Sequence, residues 1–283
     1  MPASATCNRA TIDWIAESRR QIDGHLDSLL SPAQPSPVLE AMRYSVLAPG
    51  KRIRPLLTLA VASFLGCSAR RAMHVACAIE LVHCASLILD DLPCMDNDRE
   101  RRSRLSTHVE FGEHLTILAA VSLLTQSQCI IASDDSLDMA TRLTLVKLLC
   151  ETVGPSGLSL GQYIDLTSKA DMPGPATITG IHHLKTGVLF LAAAKAGCLI
   201  CKASAEQEEK VMCFTNNLGL AFQLLDDLKD VGEAGPNMVA RIGVSNAEHR
   251  IRHYLHTASS AVEGEPNAEV LQDLAQALLK KTS

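Results

Sequence analysis

From about residue 10 to residue 280, apolar residues recur at spacings of three and four in block after block, and no stretch alternates in the manner of a strand. This periodicity predicts an all-α chain. Helices are expected over about 10–30, 36–47, 53–65, 69–91, 111–132, 138–153, 157–169, 176–201, 205–230, 246–262 and 266–280, separated by Pro, Gly and Ser punctuation. The breaks, such as SPAQPSP and GPSG, are too short for a flexible interdomain linker, so residues 1–283 are expected to form a single helical-bundle domain. Hydrophobic residues make up 47% of the chain and aromatic ones only 3%, which favours a core of helix against helix.

The net charge of −5 argues against a nucleic-acid partner, which needs a basic surplus or stripe. The N-terminal sequence has no apolar stretch of signal-peptide length, and no run is expected to approach the roughly 18 uncharged apolar residues of a membrane span. Ten scattered cysteines, with Cys198 and Cys201 at CxxC spacing in an apolar run, read as free thiols of a reducing cytoplasm.

Against this background one segment stands out. In LILDDLPCMDNDRERRSR, Asp90, Asp91, Asp96 and Asp98 directly precede Arg99, Arg101, Arg102 and Arg104. A solvated surface would intermix these charges; an acidic block abutting a basic one suits an anionic ligand that arrives with metal. On an unbroken helix Asp90 and Asp96 would lie about 240° apart. Pro93, however, disfavours helical geometry at Leu92, so the helix should end near Asp91 and let Asp96 fold back. Carboxylates at a helix C-terminus oppose the macrodipole and welcome a divalent cation, for which magnesium is suited because it bridges carboxylates to phosphate. A second cluster, FQLLDDLKDV, places Asp226 and Asp230 one turn apart on one face. Taken alone, that cluster reads more readily as a solvated helix end than as a metal site.

Together with GKRIRP (50–55), ELVHCASLILDDLPCMDNDRERR (80–102), THVEFGEH (107–114), GQYIDL (161–166) and KTG (185–187), these segments resemble the trans-isoprenyl diphosphate synthases. Within that family the likeness is to the bacterial, carotenoid-pathway type of geranylgeranyl diphosphate synthase, from about Tyr44 to Leu255. The resemblance implies that Asp90, Asp96, Asp226 and Asp230 bind magnesium, with Asp91 and Asp227 supporting. It implies further that Arg101, Lys185, Thr186 and Gln223 hold an allylic prenyl diphosphate, and that Lys51, Arg54, His83 and Arg102 hold isopentenyl diphosphate. Small residues one turn before Asp90, namely Ala85 and Ser86, are expected to floor a cavity for a twenty-carbon product. A homodimer is the usual assembly of the family.

The match fails in two places. After Asp230 the family carries further lysines in an extended loop, whereas this chain reads DVGEAGPNMVARIG, and Ser103-Arg104-Leu105 replace the usual Gly-Lys-Pro. Two other readings therefore stand beside a geranylgeranyl diphosphate synthase: a farnesyl diphosphate synthase, or a weakly active paralogue serving as a ligand- or partner-binding subunit.

Overall fold

The computed structural model describes residues 9–31, 34–168, 174–229 and 237–280. Its helices follow the expected blocks: α1 (Arg9–Leu29), α2 (Pro37–Val46), α3 (Ile53–Phe64), α4 (Ala69–Asp90), α5 (Thr107–Phe111), α6 (Glu113–Ala132), α7 (Met139–Val153), α8 (Leu158–Ser168), α9 (Pro175–His182), α10 (Val188–Cys201), α11 (Ala205–Lys229), α12 (Met238–Ile242), α13 (Val244–Ala261) and α14 (Ala268–Lys280). Local chemistry fixes several starts. Ser36 accepts from the Leu39 amide ahead of Pro37, and Asp138 accepts from that of Thr141.

Three departures from the sequence reading are informative. The helix expected from residue 111 begins as two pieces, because Gly112 adopts φ +81° between α5 and α6, a conformation that glycine reaches without strain. The single helix expected over 176–201 is interrupted by a π-helical turn, His183–Gly187, between α9 and α10. A two-stranded antiparallel hairpin, β1 (Glu100–Arg101) with β2 (Arg104–Leu105), was not expected at all. Its turn residues Arg102 and Ser103 both have positive φ, 56° and 59°, without the Asn-Gly signal that marks such turns.

Helix α4 is central, packed against α6, α3 and α10, and α3 is buried on nearly every side. One hydrophobic cluster runs from Ile15 to Ala275, and a smaller one joins Ile178, Ala221, Leu224, Met238 and Ile251 near the start of α12. Each fully buried leucine here contributes about 1.5–3 kcal/mol relative to exposure. The expectation about membrane-length runs is corrected: Ala69–Asp90, Glu113–Ala132 and Thr177–Cys201 are each long and apolar enough to cross a membrane. The reason differs between helices. Helix α4 is apolar all round because protein surrounds it, whereas α6 leaves Ile117, Leu118 and Val121 exposed.

Packing at α3–α10 generates a paired prediction. A Cβ at Gly197 would meet Val61 Cβ at 2.9 Å and the Thr58 carbonyl at 3.2 Å, whereas one at Gly219 in α11 would meet nothing within 4 Å. Overpacking costs about 1–3 kcal/mol, more than the ~1 kcal/mol of helix propensity that alanine recovers. Gly197→Ala should lower the unfolding midpoint and Gly219→Ala should raise it, as thermal denaturation will show.

Candidate functional site

Helix α4 ends at Asp90, and the segment after it folds back as Pro93 requires: the Asp96 amide donates to the Asp90 carbonyl at 2.9 Å. The amides of Met95 and Asn97 both donate to the Leu92 carbonyl, at 2.9 and 3.1 Å. Asn97 accepts a positive φ of 56° to complete the turn. Asp90 and Asp96, which a continuous helix would separate, are thus brought to one end of α4.

Their charges are the dominant electrostatic fact. The Asp90 carboxyl is pushed up to about 7, chiefly by burial; Lys185 acts against the shift and Asp96 adds to it. Lys185 answers both acids. Its Nζ lies 2.6 Å from Asp165 Oδ2 and 3.6 Å from Asp96 Oδ2, and these carboxylates hold its pKa above the ordinary lysine value despite burial. Asp91 points elsewhere: it is 1% exposed and forked by Arg101, whose Nη2 also reaches Asp98 at 2.8 Å. Burial raises the Asp91 pKa and the Arg101 hydrogen bond partly offsets it. Arg101, expected on the allylic diphosphate, braces the acidic turn through Nε and Nη2.

The π-helical turn presents Lys185 and Thr186 together. It does so because α8 comes very close at Gly161, where a Cβ would meet the Lys185 nitrogen at 2.7 Å. Four residues on, Asp165 meets the Lys185 side chain. Gln223 on α11 donates to the His182 carbonyl at 2.6 Å, anchoring the same turn from the other side.

The second acidic motif divides similarly. Asp226 lines a cavity of about 380 Å³ with Lys51, Arg54, His83, Arg102 and Thr186. Asp227 faces the chain beyond: its carboxylate accepts from the Met238 amide at 2.7 Å and stands 3.5 Å from His182 Nε2. Asn237, near where the family carries a lysine, donates to the Asp227 carbonyl at 2.7 Å and caps α12. Asp230 lies outside the described residues.

All four residues assigned by resemblance to isopentenyl diphosphate share the 380 Å³ cavity. Lys51 is exposed, with Nζ 5.6 Å from the centre of the Phe222 ring. Arg54 stacks 5.3 Å from Phe190, its pKa lowered to about 10 by burial, and its buried Nε has no hydrogen-bond partner among the described residues. Burial and then Arg54 and Arg102 hold His83 well below the ordinary histidine range. Gly50 leaves the space that the Arg102 guanidinium occupies.

A second cavity, about 310 Å³ and mostly apolar, runs from Asp90 along Ser86, Leu89, Leu124, Val153, Leu158 and Leu166. Ser86 lines it as expected. Ala85 does not: it is fully buried in the core, because adjacent helical residues point about 100° apart. Beyond Val82, Leu124, Val153 and Ser159 lies a further cavity of about 460 Å³ that shares these four residues.

The sequence reading named no role for Asp165, Gln162, His182, Glu80 or Arg52. A carboxylate inside the apolar runs AIELVHCASLIL and GQYIDL was the available signal for Glu80 and Asp165. Gln162, in the wall of the apolar cavity, has both amide atoms buried without a hydrogen-bond partner among the described residues.

Comparison with known proteins places this geometry. The polyprenyl synthetase family pattern matches residues 35–240. A geranylgeranyl diphosphate synthase of Pantoea ananas is 42% identical over 88% of this chain and 87% of that protein. A farnesyl diphosphate synthase of Geobacillus stearothermophilus is 38% identical over 84% and 81%. The apo crystal structure of an FPP/GFPP synthase from Zymomonas mobilis superposes with a TM-score of 0.88 at 30% identity, covering 95% of this chain and 98% of that one.

The raised Asp90 pKa yields a stability prediction for the metal-free protein. A carboxyl whose folded pKa lies near 7 rather than 3.8 imposes no penalty below about pH 4, a growing one between pH 4 and 7, and a constant one above. Asp90→Asn removes the penalty. In chelator, thermal unfolding should show the variant more stable than the parent near pH 8, with the gap closing on acidification; a gap that widens towards acid would mean that the carboxylate is stabilised by pairing.

Proposed function

The chain belongs to the polyprenyl synthetase family, and from that premise we propose that it condenses isopentenyl diphosphate with an allylic prenyl diphosphate, chiefly to geranylgeranyl diphosphate, releasing pyrophosphate. One observation carries the reading: a cationic cavity built for a diphosphate and an apolar cavity built for a hydrocarbon chain are each bordered by an acidic motif, with the Lys185 turn beside both motifs.

The donor chemistry fits magnesium. Asp90, Asp96 and Asp226 offer hard oxygen ligands, and the Asp90 carboxylate is disfavoured without a neutralising charge. Magnesium keeps several waters and takes phosphate oxygens, so it needs only one or two of these carboxylates. When bound, the metal would neutralise charge on the departing diphosphate.

The protein's own residues account for the remaining steps. Lys185 and Thr186 lie beside the acidic motifs, where the allylic diphosphate is held. As the allylic carbon–oxygen bond breaks, its electron pair leaves with the diphosphate, and the cationic side chains stabilise the developing negative charge. Lys51, Arg54, Arg102 and His83 orient isopentenyl diphosphate, whose double bond forms the new carbon–carbon bond. A proton then leaves to the released pyrophosphate, so no protein base is assigned.

The apolar cavity, with Ser86 in its wall and further apolar space beyond Leu124, supports a product longer than fifteen carbons. The exposed α6 face of Ile117, Leu118 and Val121 supports a homodimer. On the resemblance alone the reading extends to a cytoplasmic enzyme of carotenoid synthesis.

The test is chromatography of dephosphorylated products after incubation with isopentenyl diphosphate, each allylic primer and magnesium. The parent should give mainly the twenty-carbon alcohol. Ser86→Phe should shift it towards fifteen carbons without abolishing condensation, and Asp226→Asn should reduce turnover by orders of magnitude with the fold retained. A parent that stops at fifteen carbons would make this a farnesyl diphosphate synthase, and no magnesium-dependent pyrophosphate release would favour the binding-subunit reading.

A further inference from the structure

Between Lys51 and Arg54, the two cations of GKRIRP assigned to a diphosphate, stands Arg52, which behaves unlike either. Its backbone has φ 50° and ψ 38°, a left-handed conformation that non-glycine residues avoid, at the residue capping α3. Its side chain turns inward and the residue is only 4% exposed. Each of its three nitrogens is engaged. Nε donates to Asp23 Oδ1 on α1 at 2.7 Å and Nη1 to Glu80 Oε1 on α4 at 2.9 Å, while Nη2 donates to the carbonyls of Val46 at 2.7 Å and Ala48 at 3.1 Å.

We propose that Arg52 is a positioning residue for the isopentenyl diphosphate site, a clamp that joins α1, the α2–α3 connection and α4 and so aims Lys51 and Arg54 into the cationic cavity. The inference rests on the assignment of that cavity given above. Two features carry it. The clamp holds a left-handed residue in place, and the following turn of α3 inherits its direction, so Arg54 enters the cavity from a backbone that Arg52 fixes. Its partner Glu80 is 1% exposed and sits one helical turn before His83, lining the same cavity. Without the guanidinium, a bare carboxylate would stand in the wall of a site that must admit an anion, and the segment carrying Lys51 would lose its ties to α1 and α4. With its nitrogens occupied, Arg52 acts through its neighbours rather than on the ligand.

Steady-state kinetics on the full-length enzyme, varying each substrate separately, test the proposal. R52K keeps a positive charge against Glu80, but a single nitrogen cannot span acceptors on three segments. The expected result is a rise of about tenfold or more in KM for isopentenyl diphosphate, with KM for the allylic diphosphate within about twofold of the parent. Lys51→Ala and Arg54→Ala serve as controls. If they leave the isopentenyl KM unchanged, the cavity assignment itself fails and the proposal falls with it. If they raise it and R52K does not, the cavity stands and the positioning role is overturned. A lower unfolding temperature with both KM values unaltered likewise overturns it, since a merely structural arginine would give that pattern. Should R52K not fold, Asp23→Asn removes only the half-exposed partner; a selective rise of about threefold in the isopentenyl KM supports the clamp, and unaltered KM values overturn it.

Discussion

Carboxylates gathered at the low-dielectric mouth of an apolar cavity repel one another, and much of the site's architecture answers that repulsion. Asp90 meets Asp96 where the α4 macrodipole is already negative. The protein offsets part of this charge with Lys185, shared between Asp96 and Asp165, and with Arg101, shared between Asp91 and Asp98. It does not offset all of it. What remains is chiefly the burial of the Asp90 carboxylate, which raises its pKa, a cost that a divalent cation with an anionic substrate would relieve.

Backbone irregularities concentrate around the same place. Of six described non-glycine residues with positive φ, four (Arg52, Asn97, Arg102 and Ser103) lie there and two (Lys202 and Asn267) elsewhere, and the π-helical turn interrupts the α9–α10 run at Lys185 and Thr186. Left-handed residues cost roughly 1–2 kcal/mol each, and surrounding contacts hold them there. Arg104 stacks 3.9 Å from the centre of the Tyr44 ring and the Tyr44 hydroxyl donates to the Leu105 carbonyl, pinning the hairpin whose turn is Arg102–Ser103. The close approach of Gly161 to the Lys185 backbone does the same for the π-helical turn.

Helical periodicity made the bundle legible, because the apolar blocks are long enough for a 3.6-residue period to show. Pro93 made the fold-back of Asp96 legible as well, since its steric effect is local. Four hairpin residues are too few for an alternation to register, and Ser103 occupies a left-handed position without advertising it. The pairs Arg52–Glu80 and Lys185–Asp165 join residues 28 and 20 apart in sequence, which no local pattern encodes. The floor of the apolar cavity turned on one residue's rotation about α4: Ser86 faces it and Ala85 faces the core. Lys51, Arg54, His83 and Arg102, which resemblance groups on one ligand, line one cavity, and Arg101 pairs with Asp91 and Asp98 at the acidic turn, a contact that no local pattern announces.

The central claim is that the two acidic motifs bind a diphosphate only through divalent cations. Calorimetric titration with a non-ionisable allylic diphosphate analogue, in magnesium and then in chelator, tests it most directly. The account predicts saturable binding in magnesium and loss of affinity by about two orders of magnitude or more without it, since uncompensated carboxylates repel the ligand. Equal affinity in chelator would mean that Lys185, Thr186 and the neighbouring arginines suffice, and would contradict it.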